Sequence, residues 1–280
     1  MATASDLRPF FLAGTSGPLF ALFHPPRGPA VRDEYFVFVP PFGEELNRSR
    51  RVVAVQAQAL AAAGIGVLLL DLFGCGDSAG ELSDATWDRW LADIEVAAAW
   101  MERERGAKTG LWGLRLGASL AVAAAERFPR RFSRLLLWEP IASGQAFLTQ
   151  VLRSRVAAAM TRDDGQRETT DGLRQLLSNG ESLEVSGYTI APKLAAGIDA
   201  VDLAACEPRC LSAIHWMEVA GETGRPLSAP ACRVLERWRR ADIAVRDSVE
   251  VSPRFWTLIE TTIAPDLVAA TCRELGVALS

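Results

Sequence analysis

The sequence predicts an α/β protein: a mostly parallel central sheet with helices on both faces and a helical insertion past its middle. Three observations carry that expectation. Short apolar runs alternate with longer helical patterns, as they do in chains that wind around a parallel sheet. A frame of two glycines, Gly113-Leu114-Arg115-Leu116-Gly117, stands between one such apolar run and an alanine-rich stretch. The stretch from Ser143 to Ala205 then breaks the alternation, being long and mostly helical in pattern.

Taken in order, strands are expected at about Leu19 to Phe23, Tyr35 to Val39, Gly66 to Asp71, Thr109 to Trp112, Arg134 to Trp138, Ser212 to Val219 and Ile243 to Val249. Each is a short apolar run rich in β-formers or bounded by turn residues. Helices are expected between them at about Arg48 to Ala63, Asp84 to Arg105, Leu116 to Arg127 and Pro230 to Arg240, with a last one at Pro265 to Leu275. The insertion, at about 143–205, is interrupted by the polar segments Arg162 to Thr170 and Ser178 to Ser182. It reads as a cap above the face where loops collect, or as two ordinary surface helices; the cap is the expectation.

With 280 residues, of which 49% are hydrophobic and 23% charged, the chain can bury a large core, and one domain over 1–280 is expected. The formal net charge of -4 leaves no basic footprint for nucleic acid. No apolar run is long enough to span a bilayer, and Met1 to Arg8 lacks the layout of a signal peptide, so a cytoplasmic protein is expected. Cys75, Cys206, Cys210, Cys232 and Cys272 are odd in number and follow no C-x-x-C repeat, which argues against a disulfide framework or structural zinc. Cys206 and Cys210 could face each other one helical turn apart, yet with two histidines in the chain a metal site would lack ligands. Neither a metal nor a cofactor is expected.

The glycine frame has the layout of a G-x-S-x-G nucleophile elbow, with Arg115 in the place of serine. In that motif the glycines let a strand turn sharply into a helix and expose the central side chain above the sheet. The run Ala118 to Ala125 supplies the helix. A guanidinium stays protonated and has no lone pair for attack on a carbonyl, so Arg115 cannot act as a nucleophile.

The loop Pro40-Pro41-Phe42-Gly43-Glu44-Glu45 follows an expected strand, where this layout draws an oxyanion-hole N–H. Two prolines remove two donors, which leaves Phe42, Gly43 or Glu44 to supply it. Glu44, Glu45 and Glu139 are the candidate carboxylate partners of Arg115; for the first two, acids at a solvated helix N-terminus are the alternative. Glu222, in the loop after the next-to-last strand, is a relic of a triad acid or a loop glutamate without a role. His24 precedes the elbow and His215 lies inside a strand, so neither has the place of a triad base. Where that histidine would fall stand Phe255 and Trp256. Cys75 and Ser78, in the glycine-rich turn from Asp71 to Ser78, read as structural, and so does Ser119, one turn after Arg115.

As a set, Pro40 to Asn47, Leu111 to Ala118, Leu148 to Arg153, Gly180 to Tyr188 and Phe255 to Thr257 resemble the exosortase A system-associated hydrolase 2 family, a branch of the α/β-hydrolase superfamily. That family is found beside exosortase and exopolysaccharide genes in bacteria. The resemblance implies an α/β-hydrolase fold with arginine at the elbow itself. It also implies a protein partner from the exosortase or exopolysaccharide system. Two functions stay open: a hydrolase or acyltransferase acting by an unrecognised mechanism, and a non-catalytic relative that binds a small anionic or acyl ligand or a protein.

Overall fold

The computed structural model describes residues 7–27, 31–160 and 168–277. The first six residues and 162–167 of the expected polar interruption lie outside them.

Among the described residues the strands β1 (Arg8–Gly14), β2 (Gly17–His24), β3 (Tyr35–Val39), β4 (Gly66–Leu70), β5 (Thr109–Leu114), β6 (Phe132–Trp138), β9 (Ala213–Ala220) and β10 (Val245–Val251) form one sheet in the order β1-β2-β4-β3-β5-β6-β9-β10. β1 and β2 pair antiparallel, β2 is antiparallel to β4, and every later pairing is parallel. Between the strands run α1 (Glu44–Ala62), α2 (Trp87–Arg105), α3 (Leu116–Arg127) and α7 (Ala229–Arg240), and α8 (Pro265–Glu274) follows the last strand.

Alternation along the strands divides the core in two. On β3, Tyr35, Val37 and Val39 face one cluster and Phe36 and Phe38 the other; on β6, Leu135 and Leu137 oppose Leu136 and Trp138. This is the period of two expected of a strand buried on both faces. The first cluster holds buried residues of α2, α3 and α7, the second those of α1 and α8.

Between β6 and β9 the chain inserts α4 (Gly144–Ala159), α5 (Thr170–Ser178), the hairpin β7 (Leu183–Val185) and β8 (Tyr188–Ile190), and α6 (Pro192–Asp199). The hairpin is absent from the helical reading of this stretch. Its two-residue turn, Ser186-Gly187, has φ of 52° and 85°, the pattern of a tight turn whose twist suits paired strands. β1 also lies beyond the expected set: Leu12 is its one buried residue, so the sequence offers neither alternation nor a fully apolar run. Two helix starts also differ. α1 begins at Glu44, four residues earlier than expected, where two acids in its first turn suit the positive helix end. α2 begins at Trp87, after Thr86 accepts the Arg89 N–H at 3.2 Å as its cap. Cys206 and Cys210 lie in a loop rather than one turn apart on a helix, and Cys210 has φ 66°.

Candidate functional site

β5 is an inner strand, and Arg115 follows its carboxyl end directly as the cap residue of α3. Its φ of 56° and ψ of -120° lie outside the regions that non-glycine residues ordinarily occupy. The surroundings hold it there. Arg115 N–H donates to the Trp138 carbonyl at 2.9 Å, and its own carbonyl accepts from Ala118 N–H at 3.0 Å. The flanking glycines permit the close approach: a Cβ at Gly113 would lie 2.4 Å from the Ala118 Cα, and one at Gly117 2.2 Å from the Val39 carbonyl oxygen. The strand-to-helix turn is therefore set by backbone sterics, and the side chain at its apex is free to vary.

That side chain is held from two sides. Arg115 Nε donates to Glu45 Oε1 at 3.2 Å, and the guanidinium carbon stands 5.5 Å from the centre of the Trp256 ring, within cation–π range. The pair is mostly covered, with 13% of the Arg115 side chain and 20% of Glu45 exposed. Burial pushes the Glu45 carboxyl above the ordinary glutamate value, against the opposing pull of Arg115, and its Oε2 is buried with no hydrogen-bond partner among the described residues. Glu139 begins the loop after β6, one strand over, with φ 46°. Its N–H donates to the Met217 carbonyl at 2.7 Å, and its Oε2 accepts the Val219 N–H at 2.7 Å. Burial raises its carboxyl too, while Arg115 is close enough to pull it the other way.

Of the three candidate partners, Glu45 makes the direct contact, Glu139 acts on Arg115 at longer range, and Glu44 faces elsewhere. Glu44 Oε2 accepts the Tyr188 hydroxyl at 3.0 Å, and Tyr188 in turn accepts from Asn47 Nδ2 at 3.1 Å. Arg48 Nη1 donates to the Thr257 carbonyl at 2.8 Å. The first two turns of α1 thus tie the inserted hairpin on one side to the 3₁₀ turn Phe255–Thr257 on the other. Phe255 and Trp256 are buried, and Phe255 meets Trp138 edge-on at 6.3 Å.

Two cavities flank the Arg115–Glu45 pair. One, of about 330 Å³, is walled by Phe42, Glu45, Phe147, Val151, Tyr188 and Trp256 among others, and is largely aromatic and aliphatic. The other, of about 420 Å³, brings Arg115 and Glu139 together with Asp202, Trp216, Glu218 and Arg233. Phe147 and Gln150 of α4 line both, so the insertion contributes a wall to each. Phe42 packs against Phe147 with ring centres 6.2 Å apart, and Gly43, φ 60°, opens α1. The N–H groups of Phe42, Gly43 and Glu44 have no acceptor among the described residues, and that of Glu44 belongs to the first turn of α1, whose donors a helix leaves unpaired.

Glu222 is exposed in the loop after β9 and lines neither cavity; Glu218, inside β9, does. Glu218 is occupied by Ser228, whose N–H and hydroxyl donate to it at 2.7 and 2.6 Å. His24 and His215 are buried in the sheet away from both cavities, and His215 Nδ1 lies 3.2 Å from Glu274 of α8. Ser119 donates to the Ile141 carbonyl at 2.8 Å, and Ser78 to the Asp71 carbonyl at 2.6 Å. Burial pushes the Cys75 thiol up to about 12, which keeps it protonated. Among the described residues no group of histidines, cysteines and acids could hold a metal ion. Tyr188, Phe147 and Trp216 were not singled out as site residues by sequence. The signal that could have flagged Tyr188 is rarity, since the chain has two tyrosines and this one follows a turn glycine.

This strand order, with an elbow after an inner strand and an insertion over the strand ends, is the α/β-hydrolase fold. A family model for the serine aminopeptidases of type S33 matches residues 33–164, a little under half of the chain. Among solved structures the chain is similar to Est1E from Butyrivibrio proteoclasticus, at 12% identity over 96% of this chain and 97% of that one, with a TM-score of 0.65. It is also similar to a serine hydrolase of Xanthomonas campestris described as lacking a lid, at 17% identity over 97% and 94% of the two chains and a TM-score of 0.58. The mouse alpha/beta hydrolase domain-containing protein 10 aligns at 14% identity over 96% and 98%, with a TM-score of 0.57. At such identities the likeness speaks to the α/β-hydrolase fold alone. No match was found among curated proteins. No helix among the described residues is long and apolar enough to cross a membrane.

Proposed function

We propose that this chain is a non-hydrolytic relative of the serine hydrolases that binds an acyl group in the cleft beneath its insertion. The observation that carries the reading is Arg115: the elbow apex bears a guanidinium, bonded to Glu45 and faced by Trp256, with both histidines of the chain outside the cleft. A nucleophilic acyl transfer needs a nucleophile and a base within hydrogen-bond reach, and this apex offers neither. Phe255 and Trp256 take the histidine-loop position, and Glu222 has no part in the cleft.

The charges of the cleft decide which ligand fits. Arg48, Arg115 and Arg233 stand against Glu44, Glu45, Glu139, Asp202 and Glu218, so acids outnumber cations around both cavities. A free phosphate or a small carboxylate would meet more repulsion than attraction. A neutral acyl group avoids this. Its carbonyl oxygen accepts from the terminal nitrogens of Arg115 or from the N–H groups after β3, and its tail lies along Phe42, Phe147 and Trp256. The resemblance to the exosortase-associated hydrolases agrees, because arginine at the elbow would then belong to the whole branch. On the same ground we assign a partner from that system.

Calorimetric titration with octanamide and octanoate, which share a tail and differ in charge, tests the ligand. Octanamide should bind more tightly, and Arg115→Met should remove its binding; tighter octanoate binding, displaced by phosphate, would favour the anion. A fluorophosphonate probe tests the chemistry. The wild type and Arg115→Ser should both stay unlabelled, since a serine without a base remains a neutral hydroxyl. Stoichiometric labelling of one serine would restore the hydrolase reading.

A further inference from the structure

A groove outside the cleft carries charge of the opposite sense. α7 places Arg233, Arg237 and Arg240 at i, i+4 and i+7, on one exposed face that runs from mid-helix to its C-terminal end. Arg209, from the loop before β9, stands across from them, and together with Glu207 and Glu236 they line an open concavity of about 500 Å³. Four arginines thus face two glutamates in a chain whose acidic residues outnumber its basic ones by 34 to 30. Glu207 is taken by Arg209 at 2.8 Å and Glu236 by Arg240 at 3.5 Å. Arg233 and Arg237 are left without an ion pair among the described residues. The other basic residue of the last turn, Arg239, pairs with Asp247 of β10 instead.

Cations at the carboxyl end of a helix are favoured by its dipole, which accounts for one or two arginines here. It accounts neither for the facing Arg209 nor for the fixed wall between them. That wall is built by Trp238, which is fully buried. Its Nε1 donates to the Cys206 carbonyl at 2.8 Å and to the Leu203 carbonyl at 3.2 Å, pinning the segment that precedes Glu207 and Arg209 against α7.

We propose that this groove docks an acidic segment of a partner protein in extended form. The spacing fits. Arg233 and Arg237 are separated by about 6 Å of helix rise, and alternate residues of an extended chain by about 6.6 Å, so Asp or Glu at every second position can meet successive guanidiniums. Each guanidinium offers a carboxylate a bidentate fork, and the open, shallow shape suits a passing chain more than an enclosed small molecule. Arg233 also lines the cavity beside Arg115, so the docked segment ends at the rim of the cleft.

The test is fluorescence anisotropy with a labelled Ser-Glu-Ser-Glu-Ser-Glu-Ser-Glu peptide, with a Ser-Lys repeat as control, at low and at physiological salt. The Glu repeat alone should bind saturably and weaken with salt. Arg237→Glu and Arg240→Glu should each weaken it about tenfold, while Arg103→Glu, an equal charge change on α2, should not. All three residues are exposed, and Arg237→Gln serves as a milder variant if Arg237→Glu melts early. Equal losses from Arg237→Glu and Arg103→Glu would overturn the proposal by reducing the binding to net charge. Displacement by polyphosphate or phosphatidylserine vesicles at lower concentration than by unlabelled peptide would overturn it in favour of a phosphate-bearing ligand.

Discussion

The elbow after β5 and the insertion between β6 and β9 meet around the same two cavities, yet they are built on different terms. At the elbow both glycines are closely packed: Gly117 lies against the Val39 and Pro40 carbonyls and Gly113 against α3. In the inserted hairpin Gly187 has open space around it, and so does Gly180 just before the hairpin. The elbow is a constraint on backbone shape that says nothing about the apex side chain. The hairpin is tied through a side chain, Tyr188 on Glu44, and its glycine is open, whereas the start of α4 is packed as closely as the elbow, a Cβ at Gly144 falling 1.7 Å from the Ile198 carbonyl oxygen. This is how a hydrolase turn can persist with an arginine on it: what fixes the turn is not what performs the chemistry.

The sharpest break of this comparison comes from adding a methyl group on each side. Gly117→Ala should cost about 4 kcal/mol or more, or prevent folding, because the new Cβ meets backbone oxygens that cannot move aside. Gly187→Ala, with nothing within 4 Å but a φ of 85°, should cost about 1–2 kcal/mol from the backbone alone. Urea denaturation of the two variants checks it. Equal costs would mean that the elbow is not the tighter element.

The frame's interior carries a pH signature on the acid side of neutrality. Both ring nitrogens of His24 are buried without a hydrogen-bond partner among the described residues, and burial, with Arg27 nearby, lowers its pKa from 6.5 to about 4. The folded state therefore binds this proton less readily than the unfolded chain, so the contribution is present above pH 6.5 and is lost as pH falls toward 4. Relative to His24→Leu, wild type should lose roughly 3 kcal/mol across that window. Melting temperatures of the two proteins at pH 7.5 and 4.5 measure it; parallel curves would show that His24 is solvated or paired.

Arg115 is where the two regions touch. Arg115→Met leaves Glu45 without its partner and should cost about 2–3 kcal/mol at neutral pH, below the figure for a fully buried pair because Glu45 is a fifth exposed and takes up a proton easily. Arg115→Met with Glu45→Met should recover most of that loss, since two apolar side chains strand no charge. A double variant no more stable than the single one would mean that the cost lies in the turn and not in the ion pair.

The same division explains what could be read from the sequence. The central parallel strands and the helices on both faces were legible because the strands are buried on both sides and read as unbroken apolar runs, and because an alanine-rich helix follows Gly117. β1 was not, since an edge strand with one buried residue leaves no pattern, and neither was the hairpin, whose three-residue strands are too short to show one. At the site, Arg115 stood out because it breaks a motif. Sequence narrowed its partner to Glu44, Glu45 or Glu139 but could not choose among them. That choice depends on where α1 starts: a helix begun at Glu44 turns Glu45 toward the elbow and Glu44 toward the hairpin, and an expected start at Arg48 conceals this.

The smallest expected effect tests the seam between frame and insertion directly. The Tyr188 hydroxyl donates to Glu44 and accepts from Asn47, both near the surface, so Tyr188→Phe should cost only about 0.5–1 kcal/mol of stability. Its larger consequence concerns access. The hairpin would keep its apolar packing but lose its polar tie to α1, and the aromatic cavity would open more often. Octanamide should then bind and leave faster with little change in affinity, whereas Asn47→Ala, which removes the weaker of the two bonds, should shift the rates in the same direction by less. Stopped-flow tryptophan fluorescence reads both rates. Unchanged rates in Tyr188→Phe would mean that the insertion is held over the cleft by its apolar contacts alone, Phe147 on Phe42 foremost.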